Sequence, residues 1–279
     1  MITNTILTQY LHQWGATAVP FCSKRHSSLF TTEHINKAIG LLNQCAALRS
    51  VMLLHGANGV GKSHLASYWI HQLNPKEYLP LTITQASINS SGVVALLLEQ
   101  LGHPLRLRQG QNLNQFSKAI KELDPILPVL ILDEAQQYNP LTLEEIRLLL
   151  GLNLPSQPTF ALIMIGEDYI LKTLSLQSQR ALQSRVALKY QLPLLNRNQT
   201  LLYLQYQLKE VGILQDCFAE TAVDLIFAAS QGTQRIINHI SCQAWIMASE
   251  KKQTTITAQE VQDAIEMIPG AQPQKASVL

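Results

Sequence analysis

The stretch Gly56-Ala57-Asn58-Gly59-Val60-Gly61-Lys62-Ser63 decides the reading of this 279-residue chain. It fits the pattern G-x-x-x-x-G-K-[ST], a loop that cradles phosphate groups. Glycine has no Cβ, so backbone N–H groups can turn toward phosphate oxygens with no side chain in the way. In that geometry Lys62 reaches the β- and γ-phosphates of a nucleotide and Ser63 holds Mg2+. The flanks agree with this. Val51-Met52-Leu53-Leu54-His55 is a short apolar run, and His64 to Gln72 sets Leu65, Tyr68, Trp69 and Gln72 at helical spacing. A strand, a glycine loop and a helix N-terminus in that order make an anion site. The nucleotide-binding stretch is therefore read as Gly56 to His64, with His64 packing at the helix start.

A second feature carries chemistry. Ile126 to Asp133 is a nearly continuous apolar run, as in a parallel strand buried on both faces. It closes on Asp133-Glu134, and a carboxylate at the C-terminal edge of a parallel strand faces the ligand crevice. Asp133 is expected to bind Mg2+ through water, and Glu134 to orient and polarise an attacking water.

Around these features strands and helices alternate. Tyr78 to Thr84, Phe160 to Ile165 and Val186 to Leu192 read as strands. Thr32 to Leu48, Gly92 to Leu101 and Leu113 to Leu123 read as helices, and Thr142-x-x-Glu145 reads as a capping box opening another. This alternation predicts an α/β fold with a parallel sheet flanked by helices. After Pro193 the pattern is helical throughout. Asn196-x-x-Gln199 and Thr257-x-x-Glu260 are capping boxes, with helices at Glu220 to Ser230 and Gln234 to Ser249 between them. The expected layout is an N-terminal arm (1–30), an α/β nucleotide-binding domain (31–193), a small helical domain (194–268) of about 75 residues, and a flexible tail (269–279).

Composition sets outer bounds. Apolar residues make up 47% and charged residues only 14%, against a usual quarter charged. That allows a large core and suggests interfaces with other chains. A net charge of +2 neither demands nor excludes nucleic acid. Arg106 and Arg108, with nearby Lys118 and Lys121, form the best local basic patch. Cys22, Cys45, Cys217 and Cys242 are scattered without metal spacing, as expected of packing cysteines in a reducing compartment. The chain opens without a signal-peptide pattern and has no apolar run of the roughly 18 to 20 residues a membrane span needs. The expectation is a cytoplasmic protein without a membrane partner.

Several segments, taken in order, resemble a known family. Pro20-Phe21 and Leu29-Phe30 precede the phosphate loop. Asp133-Glu134-Ala135-Gln136, Met164-Ile165-Gly166-Glu167, Ser184-Arg185-Val186 with Tyr190-Gln191-Leu192-Pro193-Leu194, and Gly232-Thr233-Gln234-Arg235-Ile236-Ile237-Asn238 follow it. Over about residues 17 to 268 the chain resembles AAA+ ATPases with a helical lid. It is closest in type to the ExeA/GspA-like group, which includes transposon-encoded regulators of the TniB/TnsC type.

The resemblance implies ATP and Mg2+ as cofactors, and slow ATP hydrolysis stimulated by assembly or DNA. It implies Arg185 as an arginine finger reaching into a neighbouring subunit, with Arg180 as the alternative. It implies Arg235 as the lid's sensor of the γ-phosphate, and the Arg106, Arg108, Lys118 and Lys121 region as a DNA contact. The implied partners are further copies of the chain in a ring or helical filament, double-stranded DNA, and a transposase or target-selection protein.

Two positions depart from the group's pattern. Glu167 stands where a neutral polar residue is usual, which predicts repulsion of the γ-phosphate. Gln234 replaces a usual Pro. The alternative readings are a secretion-assembly ATPase of the ExeA/GspA type and a helicase loader of the IstB/DnaC type. The first carries a membrane span and a further region beyond its ATPase domain. The end of this chain after the lid therefore favours the transposition reading at this stage.

Overall fold

Short, mostly apolar runs form five strands in the described part of the computed structural model, which covers residues 2–22, 28–84, 92–152 and 159–271. They are β1 (Val51–His55), β2 (Tyr78–Ile83), β3 (Leu127–Leu132), β4 (Ala161–Gly166) and β5 (Leu188–Gln191), all parallel, in the spatial order β2-β3-β4-β1-β5. The three central strands β3, β4 and β1 are buried at every residue. This explains why their sequences are continuously apolar rather than alternating. The edge strand β5 alternates between half-buried and exposed residues.

Register positions the site. His55 lies opposite Gly166 on one side and Gln191 on the other, and Leu132 lies opposite Met164. β1, β4 and β5 therefore end level, and β3 ends two residues earlier. Gly56, Asp133, Glu167 and Leu192 leave the sheet at the same C-terminal edge, where ligands bind in open α/β sheets.

The helices are α1 (Ile2–Trp14), α2 (Glu33–Ala47), α3 (Lys62–Gln72), α4 (Gly92–Gln100), α5 (Gln109–Glu122), α6 (Pro140–Gly151), α7 (Tyr169–Ser175), α8 (Arg180–Gln183), α9 (Arg197–Lys209), α10 (Glu220–Ser230), α11 (Gln234–Glu250) and α12 (Ala258–Met267). They fall into two compact units. One comprises Glu33–Ala57 and Lys62–Leu192; the other comprises Met1–Thr32, Asn58–Gly61 and Pro193–Leu279.

The α/β unit is built on a core that includes Leu97, Leu98, Phe116, Leu130, Leu132 and Ile146. Phe116 meets Phe160 edge-on at 6.0 Å. The helical unit gathers around Trp245, Trp14, Leu204, Val223 and Val261. Trp14 Nε1 donates to Ser249 Oγ at 2.8 Å, which satisfies a buried indole.

Some local features differ from the sequence-based expectation. The first thirty residues contain the helix α1. Among its described side chains, Tyr10, Leu11 and Trp14 near its end pack on the helical core, and the mixed polar and apolar residues before them give no clear helical period. Helix α5 starts at Gln109 rather than Leu113. The Asn112 side chain braces the preceding loop by accepting from the Arg106 N–H at 2.7 Å and donating to its carbonyl at 3.1 Å.

The Asn196/Gln199 and Thr257/Glu260 capping boxes form as expected. The Thr142/Glu145 box does not. Asn139 caps α6 by accepting from the Thr142 N–H at 2.9 Å, with Pro140 at the first helical position. Glu145 is buried at 4% exposure and points to another helix. It accepts from the backbone N–H groups of Val93 at 2.7 Å and Val94 at 3.3 Å, capping the N-terminus of α4. Gly92 makes room for it: with φ +74°, an added Cβ there would lie 2.5 Å from Glu145 Oε2.

No helix among the described residues is long and apolar enough to cross a membrane. Most of the expected tail, from 272 on, lies outside the described residues. Replacing Glu145 with Ala strands two buried N–H groups and should lower stability by about 2 kcal/mol. Urea unfolding followed by circular dichroism checks this, with Glu145→Gln expected to lose less.

Candidate functional site

The chain leaves β1 beside the end of β5, and this sets the identity of residue 56. A Cβ on Gly56 would lie 2.6 Å from the carbonyl oxygen of Leu192. Lys62, the first residue of α3, is only 8% exposed. Its Nζ donates to the carbonyls of Gly56 and Ala57, both at 2.9 Å. Burial lowers its pKa, and the charges of Glu167, Glu134, Asp133 and Asp168 oppose that shift. Four carboxylates therefore bear on one buried ammonium. Ser63 follows it and is exposed, and His64 is half-buried ahead of the buried pair Leu65 and Ala66.

The acidic side is set by the end of β3. Asp133 continues the sheet by donating its N–H to the Ile83 carbonyl at 2.9 Å. Its own carbonyl accepts from the Tyr138 hydroxyl at 2.9 Å. Burial and the charges of Asp133 and Glu134 push that phenol well above its usual range, so it stays a neutral donor. Asp133 Oδ1 accepts from the Glu134 N–H at 2.8 Å.

Glu134 has a left-handed backbone, φ +53°, a conformation costing on the order of 1 kcal/mol or more for a residue with a side chain. Its Oε2 accepts from Gln136 Nε2 at 2.6 Å and from Gln137 Nε2 at 3.2 Å. Gln136 Oε1 in turn accepts from the Glu167 N–H at 3.0 Å. One glutamine thus joins the carboxylate after β3 to the backbone after β4. Glu167, the departure noted in the sequence, lies close enough to act on the Lys62 charge.

A second polar brace was not foreseen from the sequence. His55, buried at 3% exposure, pairs through Nδ1 with Asp168 Oδ1 at 2.6 Å. Asp168 Oδ2 accepts from Gln191 Nε2 at 3.5 Å. The ends of β1, β4 and β5 are tied together this way. The available signal was a histidine ending an otherwise apolar strand.

In the helical unit, the loop tip Asn58–Gly61 packs on the first turn of α11. The Arg235 N–H donates to the Gly59 carbonyl at 3.1 Å, and its guanidinium Nη1 donates to Asn58 Oδ1 at 2.7 Å. Cβ atoms on Gly59 (φ +78°) and Gly61 (φ +98°) would lie 2.8 Å from Arg235 Cβ and 2.6 Å from Gln234 Oε1. Gln234 therefore packs where Gly61 leaves space.

Arg185 follows α8, is half-buried, and donates from Nη1 to the Ala181 carbonyl at 3.0 Å. Arg180 opens α8 and is exposed. Arg106, Arg108, Lys118 and Lys121 are all exposed. They do not form one tight patch. Ten residues of helical rise, about 15 Å, separate Arg108 from Lys118 along α5, so the basic residues form two separated pairs.

The groups present suit a Mg2+-nucleotide. Mg2+ is commonly held by one or two carboxylates with phosphate oxygens completing its shell. Asp133 offers such a carboxylate and Ser63 a hydroxyl oxygen, and Lys62 has a buried ammonium whose present partners are carbonyls that a phosphate can replace.

A family model described as an AAA domain matches residues 46–174. General secretion pathway protein A of Aeromonas hydrophila is 27% identical over 248 residues, which cover 86% of this chain and 45% of that protein. The chain thus spans less than half the length of this relative. Among solved structures, the ORC2 protein of Aeropyrum pernix in ADPNP-ADP complexes has a TM-score of 0.64 at 16% identity, over 89% of this chain and 70% of that one. The ORC1 protein of the same organism in complex with DNA has a TM-score of 0.65 at 16% identity, over 87% and 70%. These two likenesses show the fold. Together with the strand order and the AAA domain model matched over residues 46–174, they show an AAA+-like α/β fold, a parallel sheet flanked by helices and followed in the chain by a helical region.

Proposed function

We propose that this chain is a nucleotide-switched ATPase that assembles with further copies of itself and acts on double-stranded DNA. The observation that carries the switch is the clasp of Arg235 on Asn58 and Gly59. The tip of the phosphate loop is held by the first turn of a lid helix, so a ligand that reshapes the loop is felt at α11. Bound ATP with Mg2+ supplies the phosphoryl group and the metal's charge.

The protein's own groups do the rest. Lys62 exchanges the carbonyls of Gly56 and Ala57 for phosphate oxygens, while Ser63 and Asp133 hold the metal. Glu134 orients the attacking water and takes its proton, which requires Gln136 and Gln137 to release Oε2. Arg185 of a neighbouring copy stabilises the charge of the transition state, with Arg180 as the alternative finger. Glu167, beside the lysine, keeps the resting rate low.

The likeness to a structure solved with DNA and the four exposed basic residues support DNA as the partner. The sequence likeness to general secretion pathway protein A supports a second reading, an ATPase that drives assembly of a protein complex. It weighs more than the transposition resemblance, so recruitment of a transposase or target-selection protein is the narrower and less supported form of the DNA reading. A helicase-loading role of the IstB/DnaC type is a further form of it, carried only by the sequence resemblance around Gly61 to Ala66.

Lys62→Ala should abolish ATP binding in a fluorescent-nucleotide titration. Glu134→Gln should bind ATP with unchanged affinity and lose about 10²- to 10⁴-fold in turnover. Arg185→Ala should bind ATP yet lose assembly-stimulated hydrolysis, and mixing it with Lys62→Ala should restore part of the activity. Fluorescence anisotropy with ATP, ADP or no nucleotide at two salt concentrations separates the two readings. Salt-sensitive DNA binding only with ATP supports the first. Intact ATPase activity with no DNA binding in any state leaves the protein-assembly reading.

A further inference from the structure

The four cysteines divide into two kinds. Cys45 and Cys217 are fully buried, and desolvation pushes both thiols up to about 11. Buried thiols of this kind are unreactive at neutral pH. Cys22 is exposed and Cys242 is partly exposed. Their sulfurs lie 2.8 Å apart although 220 positions separate them in sequence. The expectation of four packing cysteines therefore fits only the first pair.

Both members of the close pair belong to the helical unit, and each is held by its surroundings. Phe21, just before Cys22, is buried at 7% exposure with a left-handed backbone, φ +65°, and meets Phe218 edge-on at 6.0 Å. Cys242 lies mid-way along α11, directly after the fully buried Ser241. The approach of the two sulfurs is therefore built into the packing of the unit.

We propose that Cys22 and Cys242 form a reversible thiol-modification site, which closes to an intramolecular disulfide on reaction with a small-molecule disulfide such as oxidised glutathione. The Cys22 thiolate attacks one sulfur of the reagent. The reagent's S–S bond breaks, one glutathione leaves as the thiol, and a mixed disulfide remains on Cys22. Cys242 then gives up its proton to solvent and attacks the Cys22 sulfur, and the second glutathione leaves. Two protein thiols are oxidised to one disulfide, and one small disulfide is reduced to two thiols.

The order of attack follows from the surroundings. Cys22 is the accessible sulfur, and the hydrogen bond from Cys242 lowers it to about 7 against the effect of burial. Cys242 is raised far above the usual thiol range by its bond to Cys22 and by burial, so it serves as the resolving thiol. Closure would tie the segment after α1 to the helix whose first turn carries Arg235. A bond across so many residues restricts the unfolded chain strongly.

The test treats the full chain with oxidised glutathione, alkylates the remaining thiols and maps the peptides. The expected result is a Cys22–Cys242 linked peptide with Cys45 and Cys217 alkylated only after unfolding, and a thermal midpoint that rises and is restored by dithiothreitol. In Cys242→Ser, glutathione should stay on Cys22 and the midpoint should not rise. A stable glutathione adduct on Cys22 in the unaltered chain, dimers linked through Cys22, or no reaction at either residue would each overturn the proposal.

Discussion

A buried ammonium needs partners, and at the sheet edge of this protein the partners of Lys62 hold the whole site in shape. Desolvation alone would favour the neutral amine. Two carbonyls of its own loop and the field of four carboxylates oppose that. The loop curls back on its lysine because those carbonyls point inward. The carboxylates converge because β3 and β4, which precede them, leave the sheet at the same C-terminal edge as β1. The glycine at position 56 follows from the same constraint, since the backbone of Leu192 leaves no space for a side chain.

The acidic groups are held separately and differently. Asp133 is fixed through its backbone and by Tyr138. Glu134 is held by two side-chain amides in a backbone conformation that side chains rarely adopt. The first arrangement suits a residue that stays in place, the second one that moves. Gln136 links the moving carboxylate to the backbone after β4, and the pairing of His55 with Asp168 links that same segment to the phosphate loop's strand.

Much of this was legible in the sequence, and the parts that were not share a cause. The phosphate loop, the Asp133-Glu134 pair, the strand–helix alternation and two capping boxes are local patterns, readable within a few residues. The misread box shows where locality ends. Thr142 and Glu145 have the right spacing, but a carboxylate buried in the core goes to whichever helix N-terminus lies nearest in space, here that of α4. The Cys22–Cys242 approach, the His55–Asp168 pair and the clasp of Arg235 on Asn58 likewise join residues more than a hundred positions apart. No spacing rule reports on them. Helix α1 was hidden for another reason, since the described side chains that pack on the helical core cluster toward its end.

The edges of the sheet carry a last consequence. A parallel sheet has two open margins, and exposed backbone there can recruit a strand from another molecule. Here β2 carries Pro80, which has no N–H to offer. At the other margin β5 is only four residues long and includes the exposed Lys189. Its Tyr190 is engaged by α2, donating to the His34 carbonyl at 3.1 Å. Neither margin is a good template for strand addition. Among the described strands, then, the sheet margins direct association toward side-chain surfaces, contacts that form and dissolve without the irreversible growth that backbone pairing invites.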